Sequence, residues 1–222
     1  EADFEVTVQP VKLGNSDILA DLPTKLNHLN PAKMADLSAI IKEYDDLFPD
    51  VPGRAQGMSH DVEVGDASPI KQHPYRVGPV KKKIIDEEIG YMLKNKIIEP
   101  CSSPWSSPCL LVPKPDGSHR FCTDFRKVNS VTKTDCDPLP RIDMLIDQVG
   151  KARYVTKFDL LKGYWQIPLT ERAKEISAFS TGSGLFRYLV MPFGMKNSGS
   201  TFQRFMDRIV SGLPDTEVYV DD

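Results

Sequence analysis

No stretch of this chain approaches the roughly 20 consecutive apolar residues that a membrane-spanning helix needs. Its first residues, Glu1-Ala2-Asp3-Phe4-Glu5, have neither a basic start nor an apolar core, so no signal peptide is expected. Cysteine is sparse. The four residues Cys101, Cys109, Cys122 and Cys136 form no CxxC pair and have no histidines at zinc spacing, which argues against a zinc module and for reduced, intracellular thiols. There is no internal repeat. Positive charge is not in excess either: the net charge is -3, which taken alone argues against a nucleic-acid partner.

What is present is more informative. The 222 residues suffice for one large domain or two small ones, and 40% apolar with 27% charged residues is ordinary for a globular protein. The charge is unevenly placed. Residues 1–58 carry 5 basic and 10 acidic side chains, whereas residues 71–133 carry 12 basic and 6 acidic. A basic middle region suits a phosphate backbone; on charge alone, a solvated lysine-rich surface is the better reading.

Periodicity predicts the elements. Residues 1–30 read as a linker with short β-prone runs. A helix is expected over 31–48, with Asn30 as N-cap, Pro31 at its first position, and Met34, Leu37, Ile40, Ile41, Tyr44 and Leu47 on one face. Val80 to Lys96 is a second helix. Its apolar face carries Val80, Ile84, Ile85, Ile89, Met92 and Leu93. A short strand is expected at 61–64. Lys114-Pro115-Asp116-Gly117-Ser118 is turn chemistry between strands 109–113 and 119–124, hence a β-hairpin. A helix over 138–149 would turn Leu139, Ile142, Leu145, Ile146 and Val149 inward. Further strands are expected at 154–159, 166–169, 176–180, 186–191 and 216–220, and a helix at 196–211. Helices interleaved with strands that pair antiparallel indicate an α+β layer.

Three aspartates stand out. Asp159 ends the strand-like run from Tyr154, and Asp221 and Asp222 end the one from Val218. Carboxylates on strand ends are what a two-metal phosphoryl-transfer site needs: hard oxygen donors for Mg²⁺, shared with substrate phosphates. A plain reading competes. Asp-Asp at the end of a sequence is commonly a solvated tail, and Asp159 alone suits a helix cap.

The surrounding motifs decide between them. LLVPKPDGSHRFCTDFRKVN (110–129), DPLPRID (137–143), FDLLKGYWQIPL (158–169), ISAFSTGSGLFRYLVMPFGMKNSGSTFQRFMD (176–207) and YVDD (219–222) follow in order. Together they resemble the reverse transcriptase domain of LTR retrotransposon and retroviral pol polyproteins, closest to the Ty3/gypsy class. The resemblance covers residues from about 59 to 222. The MPFG and VPKPDGSHR forms separate it from non-LTR elements.

The resemblance implies an α+β, right-hand polymerase fold: fingers at 59–133 and 169–192, palm at 134–168 and 193–222, and a spacer over 1–58. The chain stops at YVDD, so the expected reading is a fragment, with thumb and RNase H domain absent and no processive activity of its own. The implied activity is RNA-directed DNA polymerisation. The implied partners are an RNA or DNA template with its primer, a dNTP, and the rest of a pol polyprotein (protease, thumb, RNase H, integrase), with no membrane. The implied cofactor is two Mg²⁺ (or Mn²⁺) ions held by Asp159, Asp221, Asp222 and the carbonyl of Leu160. Lys114 and Arg120 match the cations that grip the triphosphate, and Lys162 and Gly163 would offer backbone N–H groups to it. Tyr164 matches the aromatic gate that excludes a 2′-hydroxyl. Phe193 stands where retroviral enzymes carry Gln, replacing a polar contact with packing. Gly199 stands where the family has Pro or Ala. The implied location is intracellular and cytoplasmic, in a virus-like particle, or nuclear. The alternative is a non-enzymatic remnant that binds nucleic acid weakly.

Overall fold

The structure is a computed structural model that describes residues 14–219 apart from Asp116, Pro138, Leu139, Lys151 and Tyr154. The linker expectation for residues 1–13, the inward Leu139, the strand start at Tyr154, and the site residues Asp221 and Asp222 lie outside the described residues. The chain divides into two compact units, residues 1–53 and 54–222.

In the first unit the expected linker is partly helical: α1 spans Asn15–Ala20 and α2 spans Leu22–Lys25. Asp50 anchors the start of α1, accepting from the Ser16 hydroxyl at 2.5 Å and the Ser16 N–H at 3.1 Å. These contacts are distant in sequence, which is why local propensity alone reads linker. Helix α3, Pro31–Glu43, starts as expected, with the Asn30 side chain accepting from the Lys33 N–H at 2.9 Å and Pro31 at its first position. It is shorter than the predicted 31–48. Its expected inner face is not inner either: no residue of α3 is buried, and Ile40 and Tyr44 are exposed.

The second unit is built on one five-stranded sheet of order β1-β5-β4-β2-β3. Helix α4 (Pro79–Lys94) precedes β1 (Ile98–Pro100) and buries Ile85, Ile89 and Met92, while Val80 is exposed. Strands β2 (Ser107–Pro113) and β3 (His119–Thr123) form the expected hairpin, in the register Cys109 to Thr123 through Pro113 to His119. Helices α5 (Arg126–Val131), α6 (Ile142–Val149) and α7 (Glu171–Ile176) follow. Strands β4 (Phe179–Thr181) and β5 (Gly184–Tyr188) close the sheet, and α8 spans Ser198–Val210. All pairs are antiparallel except β2 with β4. Helices on a largely antiparallel sheet make this the expected α+β class. The core is one apolar cluster, with Phe125, Phe179, Phe202, Met92 and Ile167 almost wholly enclosed.

Several expectations fail in the second unit, among them the strand expected at 166–169, where Gln166 ends a 3₁₀ turn and only isolated bridges form, Pro168 to Val190 and Leu169 to His60. Residues 155–159 and 216–219 have apolar-rich sequence but adopt no strand. A strand exists only through its ladder, and neither run joins a β-ladder among the described residues. The 61–64 segment likewise forms only a bridge beside it, His60 to Leu169. Finally, α6 has the predicted amphipathic pattern but turns it outward: Ile142, Met144 and Ile146 are more than half exposed.

Candidate active site

The β2–β3 hairpin sets the first pair of site residues. Its turn is closed by the Lys114 N–H donating to Ser118 O at 2.8 Å and the Gly117 N–H donating to Lys114 O at 3.0 Å. Gly117 has φ +79°, the left-handed region where a Cβ is strained. Arg120 pairs across from Val112, and Lys114 continues β2 two residues beyond Val112. Side chains alternate along a strand and cross-strand partners share a face, so the register puts Lys114 and Arg120 on one face of the hairpin. Arg120 is exposed and Lys114 half-buried. Both cations thus sit on this one hairpin.

The second group lies on the turn after Asp159. Asp159 is exposed. The Leu160 carbonyl, expected to face a metal, accepts the Gly163 N–H at 3.2 Å, so the same bond also engages the N–H expected to face phosphate. Lys162 adopts φ +50° and starts a 3₁₀ turn over Gly163–Gln166, its carbonyl accepting from the Trp165 N–H at 2.7 Å. Its ammonium sits 4.8 Å from the Trp165 ring centre, a cation–π contact. Gly163 is needed here for space: a Cβ would lie 2.8 Å from the ring tip of the buried Phe202. That close approach lets Tyr164 reach Phe202, at 5.2 Å between ring centres.

Phe193 completes the group. Its ring stacks on Tyr164 at 5.1 Å with 20° between planes, and lies 6.2 Å from Trp165. The loop that carries it is fixed at both sides. Upstream, the Met191 N–H donates to Ile167 O at 2.8 Å. Downstream, the Asn129 amide donates to Gly194 O and accepts from the Lys196 N–H, both at 2.8 Å. Gly194 at φ +87° and Asn197 at φ +69° make the bend into α8. Gly199, early in α8, would bring a Cβ to 3.7 Å from the Tyr164 hydroxyl, ordinary contact, so Ala fits there.

The structure thus joins Lys162, Gly163, Tyr164 and Phe193 in one cluster on the turn that follows Asp159 in the chain, and carries Lys114 and Arg120 separately on the β2–β3 hairpin. Sequence reasoning missed Asn129 as the clamp of the Phe193 loop; it stands in the quoted 110–129 motif without an assigned role. It also missed Asp124. That carboxylate is nearly enclosed and accepts from Tyr75 Oη at 2.8 Å and from Arg126 Nε and Nη2 at 2.8 and 2.7 Å. The Arg126 guanidinium holds its carboxyl well below the usual carboxylate range. This fixes an exposed guanidinium beside the hairpin strand β3.

Residues 112–222 match the family described as reverse transcriptase (RNA-dependent DNA polymerase). The retrovirus-related Pol polyprotein from transposon 412 of Drosophila melanogaster is 32% identical over 219 residues, 94% of this chain and 18% of the relative. The transposon Tf2-3 polyprotein of Schizosaccharomyces pombe is 30% identical over 87% of this chain and 15% of its own length. This chain therefore spans less than a fifth of either polyprotein. Among solved structures, the prototype foamy virus protease-reverse transcriptase superposes with a TM-score of 0.83 at 25% identity, covering 96% of this chain and 29% of that one. The foamy viral enzyme in complex with an RNA/DNA hybrid superposes at 0.78, also at 25% identity, over 96% of this chain and 29% of that one. Motif order, the α+β sheet and these matches agree: the chain belongs to the reverse transcriptase family of retrotransposon Pol polyproteins.

Proposed function

We propose that this chain carries the polymerase site of an RNA-directed DNA polymerase within a pol polyprotein. Residues 59–133 and 169–192 serve as fingers and residues 134–168 and 193–222 as palm. The observation that carries the reading is the Tyr164 ring, held on the turn directly after Asp159 and walled by Phe193. An aromatic wall beside a carboxylate suits a sugar next to a reacting phosphate.

In the reaction, the primer 3′-oxygen bonds to the α-phosphorus of a dNTP, the bond from that phosphorus to the bridging oxygen breaks, and pyrophosphate leaves. The hydroxyl proton passes to solvent. Asp159, Asp221, Asp222 and the Leu160 carbonyl are all oxygen donors, the set that suits Mg²⁺ or Mn²⁺. Bound there, the two ions would lower the charge cost of bringing the 3′-oxygen to the phosphate. Lys114 and Arg120 would hold the triphosphate and offset charge on the leaving pyrophosphate. The Lys162 N–H would face the phosphates. Tyr164 would exclude a 2′-hydroxyl by volume. The template is RNA or DNA with its primer, and the protease, thumb, RNase H and integrase would come from the same polyprotein, in the cytoplasm or in a virus-like particle.

The test is primer extension on an RNA template by the full-length polyprotein's polymerase, run beside residues 1–222 alone. Asp159→Asn should lower the rate by on the order of 100- to 1000-fold while leaving the fold intact, because it removes charge at constant shape. Undiminished extension by Asp159→Asn would remove the mechanism. Weak nucleic-acid binding without extension by the full-length protein would favour the remnant reading instead.

A further inference from the structure

A gate that works by volume works only if its ring cannot move aside. Tyr164 is half-buried, and two rings hold it. Phe202 supports it from the core and is itself 1% exposed, at 5.2 Å between centres and 49° between planes. The other face meets Phe193, at 5.1 Å and 20°. Phe193 is 46% exposed, so core packing alone does not account for an aromatic residue at this position.

What fixes Phe193 is its loop. Met191 upstream is fully buried and tied to Ile167. Downstream, the one Asn129 side chain spans the bend, donating to Gly194 O and accepting from the Lys196 N–H. The chain of contact runs from Asn129 through Gly194 and Phe193 to the Tyr164 ring. Its last step is ring against ring.

We propose that Phe193 is a positioning residue for sugar selection: it holds the Tyr164 ring in its excluding position, and Asn129 holds Phe193. This rests on the reading of Tyr164 as the gate. Without the stack, the ring gains a route to rotate away from a 2′-hydroxyl. The consequence is relaxed discrimination, not lost polymerisation. Phe193 is thus coupled to Tyr164, and its effect should vanish when Tyr164 is no longer an aromatic ring.

The experiment measures kcat/KM for a dNTP and for the matching ribonucleotide in the full-length polymerase. Phe193→Leu should raise the ribonucleotide-to-deoxynucleotide ratio by about three- to tenfold, the range expected for losing one aromatic pair. Phe193→Tyr, which keeps the ring, should hold the parent ratio. Asn129→Ala should shift it in the same direction as Phe193→Leu. In a Tyr164→Val background, which should already admit ribonucleotides, Phe193→Leu should add nothing, since coupled residues are non-additive. An unchanged ratio in Phe193→Leu, alongside a raised ratio in Tyr164→Val, would overturn the proposal and leave the gate standing. An equal shift by Phe193→Leu in both backgrounds would overturn it too. An unchanged ratio in Tyr164→Val would overturn the gate and the proposal together.

Discussion

His60 is an enclosed polar side chain, 1% exposed, with Nδ1 2.9 Å from the Thr201 hydroxyl on α8. Its Nε2 has no hydrogen-bond partner among the described residues. Burial pushes the imidazole down from 6.5 to about 4, outweighing the nearby Asp61. The sign follows from which state binds the proton first. As pH falls below about 6.5, the unfolded chain protonates at His60 while the folded one stays neutral, so stability is full above that value and is lost progressively toward pH 4. The loss should approach about 3 kcal/mol in this window. Denaturant unfolding between pH 7 and 4 should show it, and His60→Asn should flatten that slope. Carboxylates held low by partners, Asp61 by Arg172 foremost, begin to lose their contribution only as pH falls through the usual carboxylate range and lose it fully below that range. A parent slope confined to that more acidic range would refute the assignment to His60.

The 3₁₀ turn at Gly163–Gln166 shows what an element demands of one position. A methyl group at Gly163 would meet the Phe202 ring at 2.8 Å, and that ring is fully buried and has nowhere to go. Gly163→Ala should therefore destabilise by about 1–3 kcal/mol, as overpacking does. Thermal unfolding would check it, and a neutral result would mean that the turn shifts freely. Elements of this kind were only partly legible beforehand. The hairpin was, because Pro-Asp-Gly and alternating residues are local signals; so was the start of α3 at Asn30 and Pro31. The α+β class was legible in the alternation of helix and strand signals, and motif order supplies the roles proposed for Tyr164 and Lys162. The lack of strands at 155–159 and 216–219 was not legible, because strand-like composition says nothing about whether a partner is at hand. The outward face of α6 was missed for the same reason: amphipathic spacing gives the face but not its cover. Asn129 and His60 act through contacts 65 and 141 residues away in sequence, which no window reveals.

Across the molecule, the net charge of -3 hides a basic stretch at 71–133. Any binding of template and primer through that stretch should be governed by phosphate contacts. With a few such contacts, affinity should fall by on the order of 10- to 100-fold between 50 and 200 mM salt. Fluorescence anisotropy with a labelled RNA/DNA hybrid measures this directly. Binding that ignores salt would mean that the basic stretch is only a solvated surface. The foamy viral relative has been solved with such a hybrid, which makes it a natural probe.

Helix α6 leaves Ile142, Met144 and Ile146 more than half exposed, and Tyr219 joins Ile142, Leu145, Ile146 and Val149 in lining an apolar groove there. A patch of this kind takes up fluorescent apolar dyes, the usual signal of a loosened core. Residues 1–222 studied by themselves should therefore light up such a dye while their near-ultraviolet dichroism, reporting packed rings such as Phe179 and Tyr188, stays sharp. A dye-based melting curve would then start from a bright baseline and mislead, and a label-free readout is the one to rely on.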